Sequence, residues 1–187
     1  MARTARIVLE DFPHHIVQRG NRNQPVFFRP EDRVEYLQLL QRYSRQSAIE
    51  IWAYCLMDTH IHLIAVPRPG GRLAQALAET HKRYARMINF RHGWRGYLWQ
   101  GRFSSDIMEE PYLYAAMRDI ERNPVAAGIV HRAEDYEWSS AKSHVLRQPH
   151  PILSPCVLEE RIAEWAEFLR VSELEAPVER HLTTGRP

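Results

Sequence analysis

The chain has little that would tie it to a membrane, an oxidising compartment or a repeat architecture. Among its 187 residues there are only two cysteines, Cys55 and Cys156. They lie far apart and form neither a metal-ligand nor a redox spacing; Cys55, inside a strand-like run, reads as a small buried hydrophobe. No stretch approaches the roughly 18 apolar residues that a bilayer span requires. The N-terminal residues lack the apolar core and small-residue cleavage site of a signal peptide. A reducing, cytoplasmic setting with no membrane partner is expected. Lysine is nearly absent, with only Lys82 and Lys142 among 25 basic residues. The arginine excess suits bidentate phosphate contacts, although a GC-rich genome produces the same bias. No internal repeat and no low-complexity tract is present.

What is present is ordinary in amount and uneven in placement. An apolar fraction of 44% with 26% charged residues fits one globular domain plus an appendage. Net charge is +2, yet Arg68 to Arg102 holds eight Lys/Arg against the single acid Glu79. Val157 to Arg180 holds seven Glu against three Arg. A basic middle and an acidic tail suit a polyanion-binding surface plus a segment that packs or regulates; two oppositely charged solvated faces would look the same.

Periodicity divides the chain into elements. A short strand is expected over 14–19, closed by the polar turn 20–25, with a further extended piece at 26–28. Pro30 starts a helix with Val34, Leu37, Leu40 and Tyr43 at helical spacing to about Gln46. Strands follow at 49–57 and 60–67, joined tightly through Asp58 and Thr59 as an antiparallel hairpin. A helix spans 73–90, and 97–108 reads as a fourth strand. Pro111 opens a helix that Asn123-Pro124 should stop near Arg122. A short helix follows Trp138, with a serine near its N-cap; Pro149, Pro151 and Pro155 mark a linker, and 158–169 is a last amphipathic helix. The order β-α-β-β-α-β predicts an α+β, ferredoxin-like antiparallel sheet with both helices on one face, plus a C-terminal helical extension.

His60-Ile-His62 lies in the third strand. Residues i and i+2 of a strand share a face, so both imidazoles project together while Ile61, Leu63 and Ala65 face the other way. Two neutral imidazoles on one rigid face begin a divalent-metal site; surface or satisfied core histidines would show the same pattern.

Four segments together resemble one family: His15-Ile-Val-Gln-Arg-Gly-Asn-Arg22, Trp52 through Ile64, Leu98-Trp-Gln-Gly-Arg-Phe103, and Asp119-Ile-Glu-Arg-Asn-Pro-Val-Ala-Ala-Gly128. The chain resembles the REP-associated tyrosine transposases, IS200-like members of the HUH class, over about residues 12–145. The resemblance implies residues 1–148 as a nuclease/transposase domain, with 149–187 as a proline-rich linker and acidic helical tail. It implies nicking and strand transfer of single-stranded DNA beside a hairpin-forming palindrome, by a tyrosine that becomes linked to the 5′ phosphate. A Mg²⁺ or Mn²⁺ ion on His60 and His62 would polarise that phosphate, with Asn123 as third ligand. No small-molecule cofactor is implied, and a monomer is expected over a dimer.

The chain departs from this pattern at the nucleophile. Asp119 occupies the tyrosine position, so the copy either works through a different chemistry or is a natural or engineered inactive hairpin-DNA-binding protein. Tyr112 lies seven residues earlier on the same face, about 10 Å along the axis; Tyr114 faces elsewhere. For DNA contact, the resemblance favours Arg19, Asn21 and Arg22 in the glycine turn. Lys82, Arg83 and Arg86 on the basic helix are candidate phosphate contacts. Trp99, Gln100 and Arg102, with Phe103, offer either a stacking platform or core. His14 and His15 stand outside the expected site. An amidohydrolase, which can also begin with HxH, needs a barrel of about 250 residues and is excluded.

Overall fold

A computed structural model describes residues 7–170 of the chain; the last part of the expected acidic tail lies outside the described residues. Four strands form one antiparallel sheet in the order β2-β3-β1-β4: β1 His14–Arg19, β2 Ile49–Leu56, β3 His60–Pro67 and β4 Ser104–Ile107. With the helices α1 (Pro30–Gln46) and α2 (Leu73–His92) between them, this is the expected βαββαβ fold. Then come α3 (Glu110–Ala126), α4 (Ala141–Val145) and α5 (Trp165–Arg170). Among the described residues no helix is long and apolar enough to cross a membrane.

The sheet separates two cores. Ile16 of β1 and Ile61, Leu63 and Ala65 of β3 pack with Tyr36 and Leu40 of α1 and Leu77, Tyr84 and Ile88 of α2. On the opposite face Ile64 and Val66 pack with Met117 and Ile120 of α3, and with Leu158, Ile162 and Trp165 of the C-terminal segment. In β2 the alternation slips at a bulge between Ile51 and Ala53. Ile49 and Ile51 face the first core, as do Tyr54 and Leu56, whereas the consecutive Trp52 and Ala53 both face the second. One extra residue is enough to reverse a strand's faces.

Several boundaries differ from the pattern-based expectation. In α1 the buried stripe is Arg33, Tyr36, Leu40 and Ser44, while Val34 is exposed. Arg33 tolerates burial because it donates to the Leu56 carbonyl and pairs with Asp58 at the β2–β3 turn. α3 does not stop before Pro124 but carries it inside the helix. A proline there removes one intrahelical hydrogen bond and crowds the carbonyl four residues back, yet the chain beyond still bonds back, Ala127 N–H to the Asn123 carbonyl at 2.9 Å. The fourth strand shrinks to 104–107, and 26–28 forms no strand. The expected helix 158–169 is a turn followed by the short α5.

The C-terminal segment is anchored on α3 by a fully buried carboxylate. Glu121 accepts from Ser140 Oγ at 2.5 Å, His144 Nδ1 at 2.6 Å and Trp165 Nε1 at 2.8 Å. Ser140, at the start of α4, therefore spends its hydroxyl on Glu121 and makes no cap hydrogen bond. Burial alone would lower the His144 pKa; the charge and hydrogen bond of Glu121, with Glu159, outweigh it and hold the pKa above the ordinary histidine value.

Removing one partner of a buried pair leaves the other uncompensated, so Glu121→Ala should cost about 3–5 kcal/mol, read as a lower midpoint in urea unfolding. A histidine whose folded pKa is raised stabilises most below its unfolded value and loses that contribution as pH rises through the folded one. The stability margin of the wild type over His144→Asn should therefore be largest below about pH 6.5 and shrink above it.

Candidate functional site

His60 and His62 stand on the central strand β3 with their rings 5.0 Å apart and nearly perpendicular. Both project from the face that carries Ile64 and α3, as strand alternation requires. Their cross-strand partners on β1 are Arg19 and Val17, which places the Arg19 side chain on the same face. On this face Ile64 and Val66 pack against α3, while the two histidines, nearer the strand's start, are half-buried.

Each imidazole has one nitrogen already engaged. Thr59 Oγ1 lies 2.9 Å from His60 Nδ1, and His15 Nε2 lies 3.1 Å from His62 Nδ1, the two rings stacked at 5.4 Å. A metal-ligating histidine commonly gives its second ring N–H to such a partner, which orients the ring and selects the tautomer. Here the arrangement that frees Nε2 puts the proton on Nδ1, which donates to Thr59 and to His15. Burial pushes the His62 pKa down to about 3, helped by the neighbouring His15, His60 and Arg19. Burial likewise lowers His15 to about 4, and burial with Arg19 lowers His60. All three rings are neutral at pH 7, the state that coordinates a cation.

His15 is the residue that sequence reasoning left out. It is close in space only because β1 pairs with β3, setting Val17 opposite His62 and His15 diagonally beside it. The available signal was its own alternation: His15, Val17 and Arg19 share a face once β1 lies beside β3. Asp106 of β4 is in register with His15 and shares that face too.

Among the described residues no three His, Cys, Asp or Glu side chains are gathered to hold a metal ion, and a third protein ligand, if one is used, would be of another residue type. Asn123, half-buried on α3, has a suitable carboxamide oxygen. The donor set of two imidazoles and one amide oxygen, completed by phosphate oxygens, fits Mg²⁺ or Mn²⁺. Asp119, one turn earlier, is exposed. Tyr112 is exposed as well, and the Tyr114 ring lies edge-on to Phe168 at 6.4 Å.

The candidate DNA residues divide into two groups. Arg19, Asn21 and Gln100 are drawn together by backbone bonds: Asn21 N–H donates to the Leu98 carbonyl and Gln100 N–H to that of Arg19, each at 2.8 Å. Gly20 is obligatory in this turn, because a Cβ there would collide with the Gln24 carbonyl. Arg22, at φ 54°, and Arg102 are exposed beside it. Trp99 is not a surface platform: it is buried against Tyr36, His81 and Tyr84, and its indole N–H donates to the His81 carbonyl. Phe103 is buried too. Lys82, Arg83 and Arg86 are exposed on α2, whose packed side meets the sheet face opposite the histidines. Lys82 and Arg83 pair there with Glu79.

The chain is similar over 84% of its length to a solved REP-associated tyrosine transposase bound to a REP hairpin, with 19% identity, 93% of that chain covered and a TM-score of 0.66. A transposase-like structure from Deinococcus radiodurans R1 shares 18% identity over 65% of this chain and 97% of that one, with a TM-score of 0.46. No curated protein matches the chain significantly. The family model of IS200-like transposases matches residues 9–123, a span that contains His15, His60, His62, Asp119 and Asn123. The chain belongs to the IS200-like transposase family.

Proposed function

We propose that this protein binds hairpin-forming single-stranded DNA and that its histidine face serves metal-assisted nicking and strand transfer, with Asp119 in place of the usual tyrosine. The observation that carries the reading is the neutral His60–His62 pair, each ring with Nδ1 hydrogen-bonded and Nε2 left for a ligand. His60, His62 and Asn123 would hold a Mg²⁺ or Mn²⁺ ion. When bound, the ion supplies Lewis acidity to the phosphoryl oxygens, where charge develops during transfer. Arg19, in register with His60, stands where a guanidinium can orient the phosphate. The fold neighbour's REP hairpin supports hairpin DNA as substrate.

Chemistry at position 119 decides between two readings. A phenol attacking phosphorus conserves the bond for rejoining. A carboxylate attacking phosphorus would form an acyl phosphate, which water hydrolyses, so Asp119 cannot take over strand storage. It either activates water or leaves a hairpin-DNA-binding protein without strand transfer, and the substitution itself favours this second reading.

Three measurements test the proposal. On a denaturing gel with Mn²⁺ and labelled hairpin DNA, the Asp119→Tyr variant should cleave far faster and form a covalent adduct, while both proteins bind the DNA equally. A robust adduct formed by the Asp119 protein would relocate the nucleophile, and Tyr112 would be the first residue to replace. In a mobility-shift titration at fixed salt, a hairpin with a single-stranded flank should bind tighter than blunt duplex of equal length, with affinity falling steeply as salt rises; equal binding argues against hairpin recognition. Finally, His15→Phe removes the acceptor beside His62 and should weaken Mn²⁺ binding about 10–100-fold by calorimetry, with His15→Gln recovering part of it. Unchanged affinity in His15→Phe would show that His15 does not orient the pair.

A further inference from the structure

His60 lies just past the last residue pair of the β2–β3 ladder, Leu56 with Ile61. On the β1 side it is in register with Arg19; toward β2 it is joined by the turn of Met57, Asp58 and Thr59. That turn carries the hydroxyl that meets His60 Nδ1 at 2.9 Å, so the direction of the ring depends on where the turn stands. Two main-chain bonds tie it to the 20–26 segment: Val26 N–H donates to the Asp58 carbonyl and Gly20 N–H to the Thr59 carbonyl, each at 2.7 Å.

A side chain from α1 holds the same turn. Arg33 is buried, yet its Nε donates to the Leu56 carbonyl at 3.4 Å and its terminal nitrogen pairs with the Asp58 carboxylate. One planar guanidinium thus spans the end of β2 and the middle of the turn. Its central carbon lies 5.0 Å from the centre of the Phe27 ring and 5.6 Å from that of Trp138, both within cation–π range. The Leu56 carbonyl takes a second donor, the Tyr136 hydroxyl at 2.8 Å, and Leu56 N–H donates to the Trp138 carbonyl at 2.9 Å. Leu56 is therefore gripped both from α1 and from the segment that follows α3.

Stability alone does not call for an arginine here. Taking a guanidinium out of water is costly, and an unbranched apolar side chain would fill the space between Phe27 and Trp138 without that cost. The ion pair returns little, because the Asp58 side chain is 69% exposed and screened by solvent. What the guanidinium supplies and an apolar chain does not is direction, two acceptors of one turn held against one rigid plane. We propose that Arg33 is a positioning residue for the histidine pair: through Leu56 and Asp58 it fixes the β2–β3 turn and so holds the Thr59 hydroxyl against His60. The proposal rests on the metal-site reading above and deepens it. His62 is met by His15 instead, so Arg33 acts on one ring of the pair and not on the other.

The test compares the wild type with Arg33→Met, Thr59→Val, their double variant, Asp58→Ala and Asp58→Asn, each checked by thermal melt. Nitrogen NMR of the metal-free protein at one neutral pH reads the tautomer of each imidazole, and calorimetry reads Mn²⁺ affinity. The wild type should hold His60 as a single tautomer. Arg33→Met, Thr59→Val and Asp58→Ala should each give a mixture at His60 and leave His62 unchanged, whereas Asp58→Asn, which keeps an acceptor for Arg33, should resemble the wild type. Mn²⁺ should bind about tenfold more weakly to Arg33→Met and to Thr59→Val. The double variant should be no weaker than Thr59→Val alone, since residues acting in series do not add. Additive losses, equal disturbance of His60 and His62, an Asp58→Asn as disturbed as Asp58→Ala, or an unchanged His60 ring in Arg33→Met and Asp58→Ala overturns the proposal. Should Arg33→Met fail to fold, the two Asp58 variants, altered at an exposed side chain, decide the question. A wild type without Mn²⁺ affinity would sink the metal reading, while the tautomers of the metal-free protein would still judge the role of Arg33.

Discussion

β3 must satisfy two environments at once. Its two-residue period sends Ile61, Leu63 and Ala65 into the core beneath α1 and α2 and sends His60, His62, Ile64 and Val66 to the other face. Burial of the first set fixes the strand, each large aliphatic residue contributing about 1.5–3 kcal/mol. The second set is split along the strand. Ile64 and Val66 seat α3, and the histidines stand just beyond its cover. That boundary explains why the rings are buried enough to be neutral yet remain reachable from solvent. A register slip of one residue would exchange the faces and send the imidazoles into the apolar core.

The helix that carries position 119 is held by the same logic from the other side. On α3, Glu121 turns into the second core, where Ser140, His144 and Trp165 surround its carboxylate. Residues two positions away lie about 200° around the helix, so Asp119 and Asn123 are aimed away from that core. The C-terminal segment thus orients the residues expected to act on a bound phosphate, through a rigid helix rather than by touching the site. A site on regular elements is held more precisely than one on loops. The proposed DNA-facing surface is the reverse case, with a glycine turn supplying exposed groups on a fixed frame.

Family membership and the identity of residue 119 carry different information. The family model spans the histidine pair and position 119, and the structure preserves the histidine face with its hydrogen-bonded rings. In the proposed function, one side chain, Asp119, stands where the family resemblance expects the nucleophile. Scaffold and metal-binding potential can persist while the covalent step changes or disappears, because the first depends on strand pairing and burial and the second on a single oxygen atom.

The element order, the hairpin between β2 and β3 and the shared face of His60 and His62 were legible from periodicity, since each depends on residues close in sequence. What pairing decides was not legible. His15 reaches His62 only across β1 and β3, and Glu121 meets Ser140, His144 and Trp165 across long stretches of chain. Trp99 looked the same in sequence as a surface platform or as core; packing against Tyr36 and Tyr84 made it core. The bulge in β2 and the passage of α3 through Pro124 likewise follow from tertiary contacts, which compensate for one irregular residue where a local pattern can only register a break.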